Sequence, residues 1–297
     1  MSDVDVRDAG MTGAVSSDAV LEQAATGFAF TEGPIWLAGE GCIVFSDMPG
    51  DHMRRWSAAG GVETFRKPCN MANGNAIDGQ GRILTCEHAT SQVVRAEADG
   101  SLTPLASCWQ GKELNSPNDI VVGPGGSIWF TDPTFGRMEY YGRPRETELD
   151  FQGVYRIDPD GSLHLVADDF GQPNGLCFSL DRKRLFVNDT EKGHIRRFDV
   201  LADGRLGGGD VWATPAGEGP GAPDGMKIDG AGRVYCTGPG GVHVFAPDAT
   251  PLGVIRMPEV CANFTWGDAD LKTLYLTAST SLYKIRTETP GVDLSKV

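Results

Sequence analysis

Six stretches of this chain repeat one outline, and that repetition limits the possible folds more than any single motif. They read "TEGPIWLAGEGCIVFSD", "ANGNAIDGQGRILTCEH", "PNDIVVGPGGSIWFTD", "PNGLCFSLDRKRLFVND", "PDGMKIDGAGRVYCTG" and "ANFTWGDADLKTLYLTAS". Each opens on a polar residue, runs through a short apolar strand, turns on glycine or aspartate, and returns along a second strand to a polar end. The turns "DGQG", "GPGG", "DPDG" and "DGAG" put Gly or Asp where a tight hairpin needs positive φ. Between them, β-branched and aromatic residues form strand-length runs. Units of roughly 40–55 residues match the blades of a β-propeller. The sequence therefore predicts an all-β, six-bladed β-propeller with four antiparallel strands per blade. The last unit is one strand short, and "VLEQAATG", ahead of the first unit, is expected to complete it and hide an edge. Residues 1–19 are expected to be a flexible N-terminal tail, and residues 20–297 a single propeller domain.

Composition narrows the partners. Forty Gly and 18 Pro among 297 residues disfavour long helices. A net charge of −14 repels phosphate backbones and anionic lipid, so neither nucleic acid nor a membrane surface is an expected partner. Seven widely spaced cysteines with no C-x-x-C read as small buried hydrophobes rather than a disulfide or zinc framework. With an acidic, polar start, they place the chain in a reducing cytoplasm, as a monomer or weak homodimer. There is no G-x-S-x-G elbow, Walker A loop or H-E-x-x-H helix.

Aligning the six units on the residue that opens the first strand gives Glu32, Asn73, Asn118, Asn174, Asp224 and Asn263. In a propeller the innermost strands line the central channel, so these positions form a ring about one axis. Turn preference explains an Asn or Asp at one such position. It does not explain a glutamate, nor two acids and four amides aimed at one point, which stay unsatisfied without a cation. Oxygen donors alone suit a hard divalent ion, Ca²⁺ first, with Mg²⁺, Mn²⁺ or Zn²⁺ as other candidates. The expected ligands are Glu32, Asn174 and Asp224, with Asn118 as a ligand or near neighbour. Hairpin geometry brings Asp47, Glu87 with His88, Asp132, Asn188 with Asp189, and Ser279 to the same face. The long loop after Asp132, carrying Arg137, Tyr140, Tyr141 and Arg143, is expected to act as a lid or binding loop.

The ordered series "FTEGPIW", "NSPNDIVV", "IWFTDPTFG", "FQGVYRIDPDG", "PNGLCFS", "PDGMKIDGAGRVYCTGPGGVHVF" and "LYLTASTSLYKI" resembles the gluconolactonase/regucalcin (senescence marker protein) family, in its bacterial gluconolactonase branch, over about residues 20–289. The resemblance implies a six-bladed propeller with a divalent metal on its axis, whose ligands fall on Glu32, Asn174 and Asp224, with Asn118 beside them. It implies hydrolysis of a sugar lactone, D-glucono-1,5-lactone foremost. The metal would polarise the lactone carbonyl, and Asp224 would activate water, with Asn118 holding substrate or water. Asn73, Asn75, His88, Asp132, Arg137, Tyr140 and Asn263 are expected to contact the substrate. A phosphotriester or fluorophosphate hydrolase on the same cradle, or a non-catalytic metal-binding scaffold, are the competing readings.

Overall fold

The structure, a computed structural model, describes residues 2–293. Residues 294–297 of the expected propeller span lie outside the described residues. Alternating apolar runs and tight turns have folded into six antiparallel four-stranded blades, with almost no helix. Their inner strands are Thr31–Leu37, Ala72–Ile77, Ile120–Val122, Pro173–Phe178, Met226–Ile228 and Cys261–Gly267 in blades 1 to 6. Each inner strand packs against that of the next blade, and the sixth packs against the first, so the ring is closed. Glu22–Thr26 pairs with Ser281–Arg286 and supplies the fourth strand of blade 6, as the short last unit required. That pairing joins the two ends of the chain and covers an edge.

The core lies between blades rather than inside one. Leu84, Cys86 and Val93 of blade 2 pack with Phe130 and Tyr155 of blade 3, and Tyr275 of blade 6 stacks on Trp36 of blade 1 at 6.1 Å between ring centroids. Six of the seven free cysteines are buried in such layers, and Cys108 is exposed. No helix among the described residues is long and apolar enough to cross a membrane.

The N-terminal segment departs from the expected loose tail. Val4–Val6 adds a fifth strand to blade 5 by pairing antiparallel with Pro251–Arg256. A short 3-10 turn over Ala9–Gly13 follows. Met11, Ala14 and Val15 are buried among residues of blades 5 and 6. The Ala14 carbonyl accepts the Glu288 N–H at 2.9 Å, and the Gly13 carbonyl accepts the Thr289 hydroxyl at 2.7 Å. Burial of three apolar side chains offsets the entropy of ordering the segment, and its polar composition hides them.

Candidate functional site

The six strand-opening residues converge at one end of the channel because their strands are locally irregular. A one-residue bulge lies between Glu32 and Ile35, Ala72 and Asn75, Pro173 and Leu176, and Cys261 and Asn263. In blades 3 and 5 the regular strand begins only after Asn118 and Asp224. A bulge inserts an unpaired residue and turns its side chain away from the sheet's normal alternation. Here that turn is toward the axis. The glycines that follow are demanded by crowding. A Cβ on Gly33, whose φ is +51°, would lie 2.0 Å from the Asn73 carbonyl oxygen, and one on Gly175 would lie 2.0 Å from that of Asp224. Each glycine thus lets the neighbouring blade's ring residue approach.

One half of the ring carries the charge. Glu32 and Asp224 are within hydrogen-bonding reach of each other, and Asn174 bonds Asp224. Glu32 Oε2 accepts the Gly33 N–H and, at 3.0 Å, the Asn263 Nδ2. Burial, then the field of Asp119, pushes the Glu32 carboxyl up to about 7. Burial, then the fields of Glu32 and Asp119, raises Asp224 well above the usual carboxylate range. Two adjacent acids in a poorly solvated channel resist ionising together. Asp224 is positioned through its backbone: its N–H donates to Thr237 Oγ1 at 2.9 Å, and its carbonyl accepts Asn188 Nδ2. Five of the six ring residues are buried, whereas Asp224 keeps part of its surface open.

The other half is neutral and largely self-satisfied. Asn118 Nδ2 donates to Asn174 Oδ1 at 2.5 Å, and Asn73 Nδ2 donates to Asn118 Oδ1. His88 stands behind them. Its Nδ1 lies 2.8 Å from the Tyr141 carbonyl oxygen, so that nitrogen carries the proton. Its Nε2 lies 3.1 Å from Asn73 Nδ2 and 3.0 Å from Asn118 Oδ1. Burial pulls the ring's pKa down to about 4, so at neutral pH Nε2 is an acceptor for Asn73.

The loop 133–151 reaches from His88 to the segment that leads into Glu32. Tyr140 Oη donates to the Ala29 carbonyl at 3.1 Å, and Tyr141 packs edge-on against Phe30, 5.3 Å between centroids. Pro49, Met71, Glu139 and Tyr140 line a shallow, open depression beside it.

Three residues expected to contact substrate are committed elsewhere. Asn75 donates to the Gly33 and Asn73 carbonyls and to Ser46 Oγ, and accepts Thr85 Oγ1, which makes it a latch between blades 1 and 2. Asp132, fully buried, receives the N–H groups of Asn115 and Ser116 at 2.8 and 2.7 Å. Arg137 donates to the Leu114 and Asn115 carbonyls, both at 2.6 Å, and pairs with Glu113 at 3.0 Å. Asp132 and Arg137 anchor the loop segments on either side rather than face the ring. Asn73, His88 and Asn263 stay at the ring, and Tyr140 is half-exposed at its rim.

Two residues the sequence reading missed join the channel. Asp119, beside Asn118 in "PND", is buried and influences Glu32 and Asp224. Lys227 places Nζ 3.3 Å from Asn263 Oδ1. Lys227 follows Asp224 by three residues, an odd interval that strand alternation alone assigns to the opposite face.

The donor set fits a divalent cation. Two carboxylates whose charged forms are costly as they stand, together with amide oxygens, meet at one end of the channel. The described residues hold no cluster of three or more His, Cys, Asp or Glu with ligand geometry; a cation at this end of the channel would be held by Glu32, Asp224 and the oxygen of Asn174, with Asn118 at its edge.

Comparison with known proteins agrees with the fold. Residues 30–280 match the family model described as the SMP-30/Gluconolactonase/LRE-like region. The chain is 29% identical over 294 residues to a gluconolactonase of Zymomonas mobilis, covering 91% of this chain and 82% of that protein. It is 26% identical over 258 residues to the pentonolactonase XacC of Haloferax volcanii, covering 84% and 81%. A solved gluconolactonase from Xanthomonas campestris superposes with a TM-score of 0.89 at 35% identity, over 96% of this chain and 94% of that one. A regucalcin from Agrobacterium tumefaciens, at 19% identity, a TM-score of 0.76 and coverage of 92% and 96%, shares the fold. Most of the chain, from the first blade to the last, thus matches one family: the protein is a member of the SMP-30/gluconolactonase/LRE-like family.

Proposed function

We propose that this protein hydrolyses a sugar lactone, D-glucono-1,5-lactone foremost, at the axial ring, with a divalent cation held by Glu32, Asn174 and Asp224 and Asn118 at its edge. Relatives named gluconolactonase and pentonolactonase support the substrate class. One structural observation carries the placement of the chemistry: of the six ring residues, only Asp224 keeps part of its surface open, and it sits beside a second, buried carboxylate.

A divalent cation bound there supplies Lewis-acid polarisation of a carbonyl oxygen, and the oxygen-only donor set favours Ca²⁺. The chain's own groups do the rest. Asn118 and Asn174 hold the lactone carbonyl end and the attacking water by their amides. Asp224 takes a proton from that water as its oxygen bonds to the carbonyl carbon. The ring C–O bond then breaks, and the proton returns from Asp224 to the leaving oxygen, which becomes the hydroxyl of the open-chain acid. His88, through Asn73 and Asn118, fixes the amides, and the loop carrying Tyr140 borders the space above them.

The test is acid release at constant pH from glucono-1,5-lactone, from a five-membered aldonolactone and from a phosphotriester, each against the spontaneous rate. Lactone turnover that vanishes with chelator and returns with Ca²⁺ is the expected outcome. Phosphotriester turnover without lactone turnover overturns the reading.

A further inference from the structure

Two polar side chains that the reaction above does not use, Lys227 and Asp119, sit against the ring. Lys227 leaves the inner strand of blade 5, and its Nζ donates to Asn263 Oδ1 at 3.3 Å and sits 6.0 Å from the centre of the Phe264 ring. The same Asn263 donates from Nδ2 to Glu32 Oε2 at 3.0 Å. Its Oδ1 also accepts the Phe264 N–H at 2.9 Å, which fixes the orientation of the amide. Asp119 is 4% exposed and accepts the Ile120 N–H at 2.9 Å. Lys227 and Asn263 both favour its charged form, and Lys227 favours that of Glu32 as well. Among the described residues, three carboxylates, Glu32, Asp119 and Asp224, thus share this region with the Lys227 side chain.

Buried carboxylates without a counter-charge are costly, and a chain must fold before its cation arrives. We propose that Lys227, held by Asn263 beside Glu32, is a compensating charge: it offsets Asp119 and Glu32 until a divalent cation binds. This rests on the reading of the ring as a cation site. It predicts that the bound cation takes over part of the work of Lys227, and that the two positive charges oppose each other when both are present.

The experiment is a thermal-unfolding cycle on the full chain, in excess chelator and in saturating Ca²⁺. Lys227→Met is expected to lower Tm in chelator by about 10 °C, with less than half of that deficit left in Ca²⁺. Adding Asp119→Asn to Lys227→Met is expected to restore most of the lost Tm in chelator, because the charge that needed compensation is gone. Calorimetric titration should show Ca²⁺ binding Lys227→Met about tenfold more tightly than wild type, since a nearby repulsion has been removed.

An equal Tm deficit with and without Ca²⁺, no rescue by Asp119→Asn, or weaker Ca²⁺ binding each overturns the proposal. If Lys227→Met alone does not fold, the pair is read from Lys227→Arg, which must stay within about 3 °C of wild type, and from the double variant, which must fold. If Ca²⁺, Mg²⁺, Mn²⁺ and Zn²⁺ all leave the wild-type Tm unchanged, the cation reading falls, while rescue in the chelator arm still decides whether Lys227 compensates Asp119.

Discussion

The two halves of the ring are built from similar positions on six blades, yet they are completed in different ways. In the half formed by Asn73, Asn118 and Asn174, each amide finds a partner within the chain, and His88, which accepts from Asn73 and donates to the Tyr141 carbonyl, extends that network to the loop. In the half formed by Glu32 and Asp224, two acids lie side by side near a third, Asp119, and burial opposes their charge. A hydrogen bond can be satisfied by another neutral group, whereas a buried charge needs an opposite one. In the function proposed above, the neutral half would orient the substrate, and the charged half would hold a cation and move a proton.

The strongest way to break this contrast is to remove the charge. Asp224→Asn is expected to lower kcat for lactone hydrolysis by about 10³-fold or more, while raising Tm in chelator, because a buried acid has lost its cost. A constant-pH assay and a melting curve on the same preparation check both signs. If Asn118→Ala lowers kcat as far as Asp224→Asn does, the halves do not divide the labour as described.

Ligand linkage sharpens the same point. Ca²⁺ at about 100 times its Kd should stabilise wild type by about 2.7 kcal/mol, and Glu32→Gln should lose most of that gain. Melting curves across a Ca²⁺ series read both.

The neutral half has its own pH signature. His88 titrates near 4 in the folded chain and near about 6.5 when unfolded. Because the folded value is depressed, the stability tied to the neutral ring is complete above about pH 6.5 and is lost as pH falls through about 4, up to about 3 kcal/mol. The Tm of His88→Gln should fall less than that of wild type between those pH values, and its kcat should drop about tenfold at neutral pH.

Two smaller effects test the loop. Arg137→Ala removes bonds to the Leu114 and Asn115 carbonyls, and a cost of about 2 kcal/mol in denaturant midpoints is expected, in Ca²⁺ and in chelator alike. Tyr140→Phe breaks one exposed hydrogen bond to Ala29, so stability should change by less than about 1 kcal/mol. A change in KM of a few fold, with kcat held, would place Tyr140 against the substrate.

The convergence of the ring was legible because a repeat carries its own alignment. Glu32, Asn73, Asn118, Asn174, Asp224 and Asn263 stand at one position of six similar units, and a propeller brings such positions to one axis. The structural partners of Asn75, Asp132 and Arg137 were not legible, because they cannot be read from these residues' own surroundings. Asn75 reaches Gly33, 42 residues away, and Arg137 reaches Leu114, 23 away. Lys227 was hidden for a related reason, since the irregular start of its strand breaks the count of alternate residues.

The sequence by itself determined the number of blades, the closing strand ahead of the first unit and the identity of the ring, because these follow from local turn chemistry, strand alternation and a repeated spacing. Tertiary structure decided the rest: that the N-terminal segment straps blades 5 and 6, that Asn75 latches two blades, that Arg137 holds a loop, and that Asp119 and Lys227 sit against the ring. Each of those outcomes is a long-range contact, and its energy depends on which distant groups folding brings within a few ångströms. No local pattern encodes that distance.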